Sequence, residues 1–155
     1  GHSYYRSLLG KNMLLKTRLF GEIEVEEKEE INFTKPILGF DDCRQYVLVE
    51  KEAAFPVFWL QSVDKPDVAF PVVSPFSVNE EYAIKIRPHD LSDIQAKNTL
   101  DILVLTILVV PDTITSLRTN LRAPIIYNPV DKVAKQLILN DDKYPIQHYI
   151  LDQES

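Results

Sequence analysis

The chain has 155 residues, a formal net charge of −6 and 45% hydrophobic residues. That length suits one domain with a core of its own. The acidic balance disfavours direct contact with nucleic acid, whose phosphates it would repel, and favours basic partners. The single cysteine, Cys43, excludes an intrachain disulfide and fits a reducing compartment.

Met13 is the only methionine. Residues 1–12 are read as a leader outside the fold and 13–155 as a single β domain. Without Arg6 and Lys11 the formal charge moves from −6 to −8. Leu14–Phe20 is expected to form a first strand, joined near Gly21 to a second in which Ile23 and Val25 alternate with Glu22, Glu24 and Glu26. That period of two predicts a strand with one wet, acidic face. Ile31 and Phe33 continue the alternation. Tyr46–Val49, Phe55–Val63 and Val68–Val73 follow as short strands, with a Pro-containing turn at 64–67 between the last two. Tyr82, Ile84 and Ile86 predict another half-buried strand.

A short helix is expected near Leu91–Ala96, capped by Asp90. Ile102–Val110 is apolar on both faces and is expected to be the most buried strand. It is too short to span a bilayer, which takes about 20 helical residues. Thr115–Tyr127 predicts a strand pair or one bent strand, with Pro124 tolerable only at an edge or bulge. Val133–Leu139 and Tyr144–Leu151 close the pattern. Short strands at this spacing argue a single antiparallel β-barrel or sandwich with one short helix.

The chain offers little for catalysis. No glycine follows Gly39, which excludes a Gly-rich phosphate loop in the remainder. His89 and His148 are scattered, and there is no G-x-S-x-G elbow. One cysteine and two scattered histidines do not supply the usual four ligands of a zinc site. Asp42 and Arg44 flank Cys43 with opposite charges, so an unreactive thiol is the expected reading. No metal and no cofactor is expected. Two segments carry more polar residues than a plain core strand needs: FPVFWLQS (55–62) and TNLRAPIIYN (119–128). In the first, Trp59 falls on one face and Phe58 on the other, so either the strand is central or one face meets a partner. The acidic run from Glu22 to Glu30 is either a docking face for a basic partner or a solvated strand edge.

In order, these segments resemble the FliW family. The landmarks are an acidic N-terminal hairpin, Gly39-Phe40 before an acidic residue, FPVFWLQS, VAFPVVSP (68–75), a long apolar strand, then TNLRAPIIYN with Gln136 nearby. The segment at Lys35-Pro36-Ile37-Leu38 departs from the family by lacking glycine. The resemblance implies a cytoplasmic, non-enzymatic regulator of flagellum biogenesis. Such proteins bind flagellin and the basic translational regulator CsrA, and antagonise CsrA so that flagellin translation resumes. It implies a monomer that touches neither nucleic acid nor membrane. Glu22, Glu24 and Glu26 are the expected acidic contacts, with Asn120, Arg122 and Tyr127 on the exposed side of the second segment. A small-ligand-binding β-barrel and a β-barrel hydrolase are the alternatives. A deep pocket joining a histidine, a serine and a carboxylate marks the hydrolase; a large apolar cavity marks the ligand binder.

Overall fold

Alternating apolar and polar residues build nearly the whole molecule from strands. The structure, a computed structural model, describes residues 4–6, 12–140 and 142–151, the side chains of 4–6 and 114 excepted. In chain order the strands are β1 (Tyr4–Arg6), β2 (Asn12–Thr17), β3 (Gly21–Glu26), β4 (Ile31–Phe33), β5 (Gln45–Glu50) and β6 (Phe58–Ser62). Then come β7 (Ala69–Val73), β8 (Leu103–Val109), β9 (Arg118–Thr119), β10 (Ile125–Asn128), β11 (Val133–Gln136) and β12 (His148–Tyr149). A single α-helix among the described residues, α1 (Pro88–Asp93), lies between β7 and β8.

Seven strands close a barrel in the order β4-β5-β6-β7-β8-β10-β11 and back to β4. Six of the seven seams are antiparallel, but β11 runs parallel to β4, with Val133 opposite Asn32 and Ala134 opposite Phe33. The barrel is antiparallel as expected except at this one seam, and the reason is parity. Strand direction cannot alternate all the way around a ring with an odd number of members. Beyond β8, β9 and β12 extend the sheet. The β1-β2-β3 sheet stands apart from the ring. Tyr4–Arg6, set aside with the leader on the sequence reading, therefore joins the fold as a strand beside β2.

The barrel interior holds Ile31, Phe33, Tyr46, Leu60, Val72, Leu105, Ile125 and Tyr127, each from the inward half of its strand's alternation. Two further layers cover the outside. The β2–β3 hairpin presses Leu15, with Ile23 and Val25, onto Val47, Val49 and Trp59. Near α1, Ile94 packs with Ile126, Val133 and Leu137. Fully burying one such aliphatic side chain stabilises by about 1.5–3 kcal/mol. Strands β5, β6 and β10 thus carry apolar residues on both faces because each face has a cover. Trp59 belongs to the hairpin layer, with Phe20 edge-on at 5.6 Å, while Phe58 packs against the barrel interior.

Three expectations change. β8 is not the most buried strand: Leu103 is 50% and Val109 42% exposed, whereas every residue of β10 is buried. β10 is paired on both edges, by β8 and β11, while β7 pairs with β8 only at Ile107 and Thr106. Tyr82–Arg87 keeps its alternation but joins no ladder. The helix starts earlier than expected, at Pro88, whose fixed φ suits a first helical turn. Asp90 sits inside that turn and accepts from the Arg87 N–H at 3.2 Å rather than preceding the helix. Thr115–Tyr127 takes the two-strand form of the expectation and not the single bent strand: β9 and β10 are divided by a turn at Asn120, whose Oδ1 accepts from Arg122 N–H at 2.9 Å.

Candidate partner-binding surfaces

The acidic row sits where period two places it. Ile23 and Val25 turn toward the barrel, so Glu22, Glu24 and Glu26 share the opposite face of β3. Glu22 and Glu24 are exposed and Glu26 is half-buried. Gly21, at φ +69°, supplies the left-handed residue at the hairpin turn. Thr17 locks that turn: its Oγ1 donates to Gly21 C=O at 2.7 Å and accepts from Phe20 N–H at 2.8 Å. The row is partly engaged within the hairpin. Asn12 Nδ2 donates to Glu24 Oε1 at 2.8 Å, Lys28 Nζ lies 3.1 Å from Glu26, and Lys16 is opposite Glu22 in the ladder. Exposed pairs of this kind are worth about 0–1 kcal/mol. The row is therefore a surface charge feature and contributes little to stability.

The polar residues of TNLRAPIIYN are turned mostly inward, which corrects the exposed face expected of Asn120, Arg122 and Tyr127. Tyr127 is 4% exposed, in the barrel interior, and its hydroxyl accepts from Lys132 Nζ at 3.2 Å. Arg122 is half-buried, with Nε donating to Tyr144 C=O at 2.8 Å. Asn120, also half-buried, makes the turn described above. Thr119 Oγ1 lies 2.7 Å from Ile107 C=O and 2.9 Å from Thr106 Oγ1. Asn128 donates to Ile94 C=O at 3.0 Å and accepts from the Val130 and Asp131 N–H groups. Each polar side chain of the motif satisfies a backbone group or a buried neighbour where strands end and turns begin.

An ionic cluster built on buried Lys135 and Asp90, with Asp93 and His89 exposed, was not anticipated from the sequence. Lys135 points out of the barrel from β11 and reaches Asp90 Oδ1 and Asp93 Oδ2, both at 2.8 Å, while His89 Nε2 lies 3.2 Å from Asp90. Burial opposes the charge on Asp90, but the Lys135 ammonium and the Arg87 N–H outweigh it and hold the carboxyl below its ordinary range. The hydrogen bond from Lys135 does the same for Asp93. Burial likewise opposes the Lys135 charge, and the two carboxylates raise its pKa above the usual lysine value. The available signal was a lysine amid the apolar β11 pattern, with two aspartates three residues apart on one short helix. Gln136, next along, ties two loops: its Oε1 accepts from Leu38 N–H at 3.0 Å and its Nε2 donates to Ala123 C=O at 3.3 Å.

Groups with chemical potential are dispersed. A polar groove of about 590 Å³ is lined by His89, Asp90 and Lys135, with no serine in its wall. An open apolar groove of about 740 Å³ includes Ser74 and Ser77, with no histidine. His148 pairs with Thr119 in the β12–β9 ladder. Cys43 is buried in the barrel core with Tyr46, whose hydroxyl pKa burial pushes up first and Cys43 second. No helix among the described residues is long and apolar enough to cross a membrane.

A sequence model of the FliW protein family matches residues 14–150. The chain is 36% identical over 142 residues to the flagellar assembly factor FliW of Ruminiclostridium cellulolyticum, covering 91% of this chain and 96% of that protein. It is 37% identical to the FliW of Alkaliphilus metalliredigens over 142 residues, 91% of this chain and 88% of that one. A crystal structure of the flagellar assembly factor FliW superposes with a TM-score of 0.85 at 32% identity, over 92% of this chain and 99% of that chain.

Proposed function

The chain belongs to the FliW family, and from that premise we propose that it is a flagellar assembly factor acting through protein partners in the cytoplasm, without catalysis, as a monomer. Its partners in this reading are flagellin and CsrA. Free of flagellin, it binds CsrA and relieves repression of flagellin translation. The observation that supports this reading most is the outward row of Glu22, Glu24 and Glu26 on an acidic chain. A basic partner is drawn to such a row at long range, which raises the association rate more than the final affinity.

Among the residues expected at the partner face, Glu22, Glu24 and Glu26 are proposed as the CsrA-steering contacts. Asn120 and Arg122 present half-exposed polar groups that are proposed to contribute at a rim. Tyr127 is proposed to act only by shaping the barrel beneath them.

Association kinetics at two ionic strengths test the reading. Wild-type protein is expected to bind CsrA with a rate that falls as salt rises. The Glu22→Gln, Glu24→Gln, Glu26→Gln triple variant is expected to associate roughly several-fold more slowly at low salt. Its melting temperature should stay nearly unchanged, because exposed charges contribute little to stability. A variant with wild-type rate and salt slope leaves the hairpin as a solvated edge. Wild-type protein that binds neither CsrA nor flagellin overturns the function.

A further inference from the structure

β7 leaves the barrel early. Its ladder with β8 holds Val72 opposite Ile107 and Val73 opposite Thr106, and the chain then turns away through a 3-10 turn at Pro75–Ser77. On its other edge, β8 continues its pairing through Leu105, Val104 and Leu103 with β10. The edge of β8 that faced β7 therefore carries no ladder partner at residues 103–105, where Leu103 is exposed, Val104 half-buried and Leu105 buried, and the Pro75–Ser77 turn lies against the strand. Among the described residues, no backbone hydrogen bond joins it to 74–77 or to the extended, unladdered stretch 82–86.

The apolar groove lies along this edge. Its walls include Leu103 and Leu105 of β8, Phe76 beyond β7, Phe55 and Phe58 at the start of β6, and Ile84. Several walls face solvent: Phe55 is 71%, Leu103 50% and Phe76 46% exposed. An unladdered strand edge beside an apolar groove has the geometry of strand addition. There an incoming extended peptide supplies main-chain hydrogen bonds and places alternate side chains in the groove. An exposed apolar edge left without such a use is a liability that folds usually cover or charge.

Charge indicates the kind of peptide. Glu50 lies opposite Phe58 in the β5–β6 ladder, Glu81 precedes Tyr82 of the wall, and Asp101 precedes Ile102. All three are exposed, and among the described residues none is ion-paired. Alternation carries the nearby cations away: Lys85 and Arg87 line the polar groove, not the apolar one. The groove is thus apolar along its length, and its lining residues Phe58, Tyr82 and Ile102 each have a carboxylate next to them, across the ladder or in the chain.

We propose that the apolar groove along the unladdered edge of β8 binds an extended peptide segment of alternating apolar residues with basic flanks, which adds as a strand at Leu103–Leu105. This site is separate from the acidic hairpin and does not depend on the flagellin and CsrA reading.

The test uses the whole chain and a fluorescein-labelled peptide of alternating valine and threonine with two lysines at each end. Expected results are saturable binding by fluorescence anisotropy and amide NMR shifts centred on 103–105. A peptide N-methylated on the amides facing β8 should bind on the order of tenfold more weakly, since each loses a main-chain bond and leaves an acceptor unmatched. N-methylation of the opposite amides should change little. Glutamates in place of the lysines should weaken binding. Leu103→Lys and Phe76→Glu, both at exposed positions, should abolish binding while the melting temperature and far-UV spectrum stay near wild type. The proposal is overturned by absence of binding, by shifts located elsewhere, or by equal affinity of the two N-methylated peptides, which would mean that the groove takes a side-chain-only or helical ligand. None of these outcomes bears on CsrA or flagellin binding, which the hairpin variant tests separately.

Discussion

Lys135 occupies a strand position near Ala134 and Leu137 of the buried core, and it is buried as they are. It is tolerated because Asp90 and Asp93 take its charge at 2.8 Å each. Removing the cation alone should therefore cost more than removing the pair, since a buried carboxylate is left unmatched. Lys135→Met is expected to lower stability at neutral pH by about 3 kcal/mol. The pH dependence has a defined sign. Asp90 has a lowered pKa in the fold, so its contribution is present above the unfolded carboxylate value of about 3.9 and is lost as pH falls through the folded value. Lys135 has a raised pKa, so its contribution is present below the unfolded value of about 10.4 and is lost as pH rises through the folded one. Urea unfolding of wild type and variant should show a stability gap that is flat between these limits and narrows in acid. A gap that stays constant down to about pH 3 would mean that the lysine acts through packing and not through charge.

At the level of elements, the stretch 82–87 shows why a correct pattern does not always make a ladder. Tyr82, Ile84 and Ile86 turn inward as period two requires, but their backbone partners come from elsewhere. The Tyr144 hydroxyl accepts from Ala83 N–H at 2.8 Å and donates to Ala83 C=O at 3.0 Å, and the Tyr82 hydroxyl donates to Leu121 C=O at 2.8 Å. The two rings meet at 4.5 Å. Tyr144→Phe should keep the ring contact and strip both bonds from Ala83, costing about 1–3 kcal/mol because its half-buried backbone loses its partner. Denaturant unfolding reads the loss, and amide exchange at Ala83 should quicken. Unchanged exchange there would show that the hydroxyl is not what holds this segment. The hairpin was far more legible. Glu22, Glu24 and Glu26 against Ile23 and Val25 determine both the strand and its orientation, because a one-residue slip would bury every carboxylate. In TNLRAPIIYN the strand was legible but the face was not. Asn120, Arg122 and Tyr127 look exposed by residue type, yet their polar groups serve backbone groups and side chains distant in the chain or across a turn, which periodicity does not report.

Across the whole molecule, the all-β class followed from strand spacing and the short helix from the pattern around Asp90 and Leu91, whereas closure of the ring did not. The closing seam joins β11 to β4, strands from opposite ends of the chain, and its parallel direction follows from the odd number of strands. Neither fact is written in local alternation. The same closure ranks the parts by stability. β10 is paired along both edges and buried at all four residues. The β9–β12 pair is two residues long and, among the described residues, has its ladder to the ring at β8. Amides that open only by global unfolding lie where buried contacts and paired edges coincide, while short outlying ladders open locally. Native-state hydrogen exchange should therefore place Ile125, Ile126 and Tyr127 among the slowest amides, with protection that falls together with global stability as denaturant is added. His148 and Tyr149 should exchange faster and respond little to denaturant, as local openings do. Leu60→Ala, which empties a fully buried site in the barrel interior, should cost about 2–5 kcal/mol and speed the β10 amides by the matching factor while leaving His148 and Tyr149 almost unchanged. If β12 proves as protected as β10, or if Leu60→Ala leaves β10 exchange unaltered, the ring is not the cooperative unit of this fold.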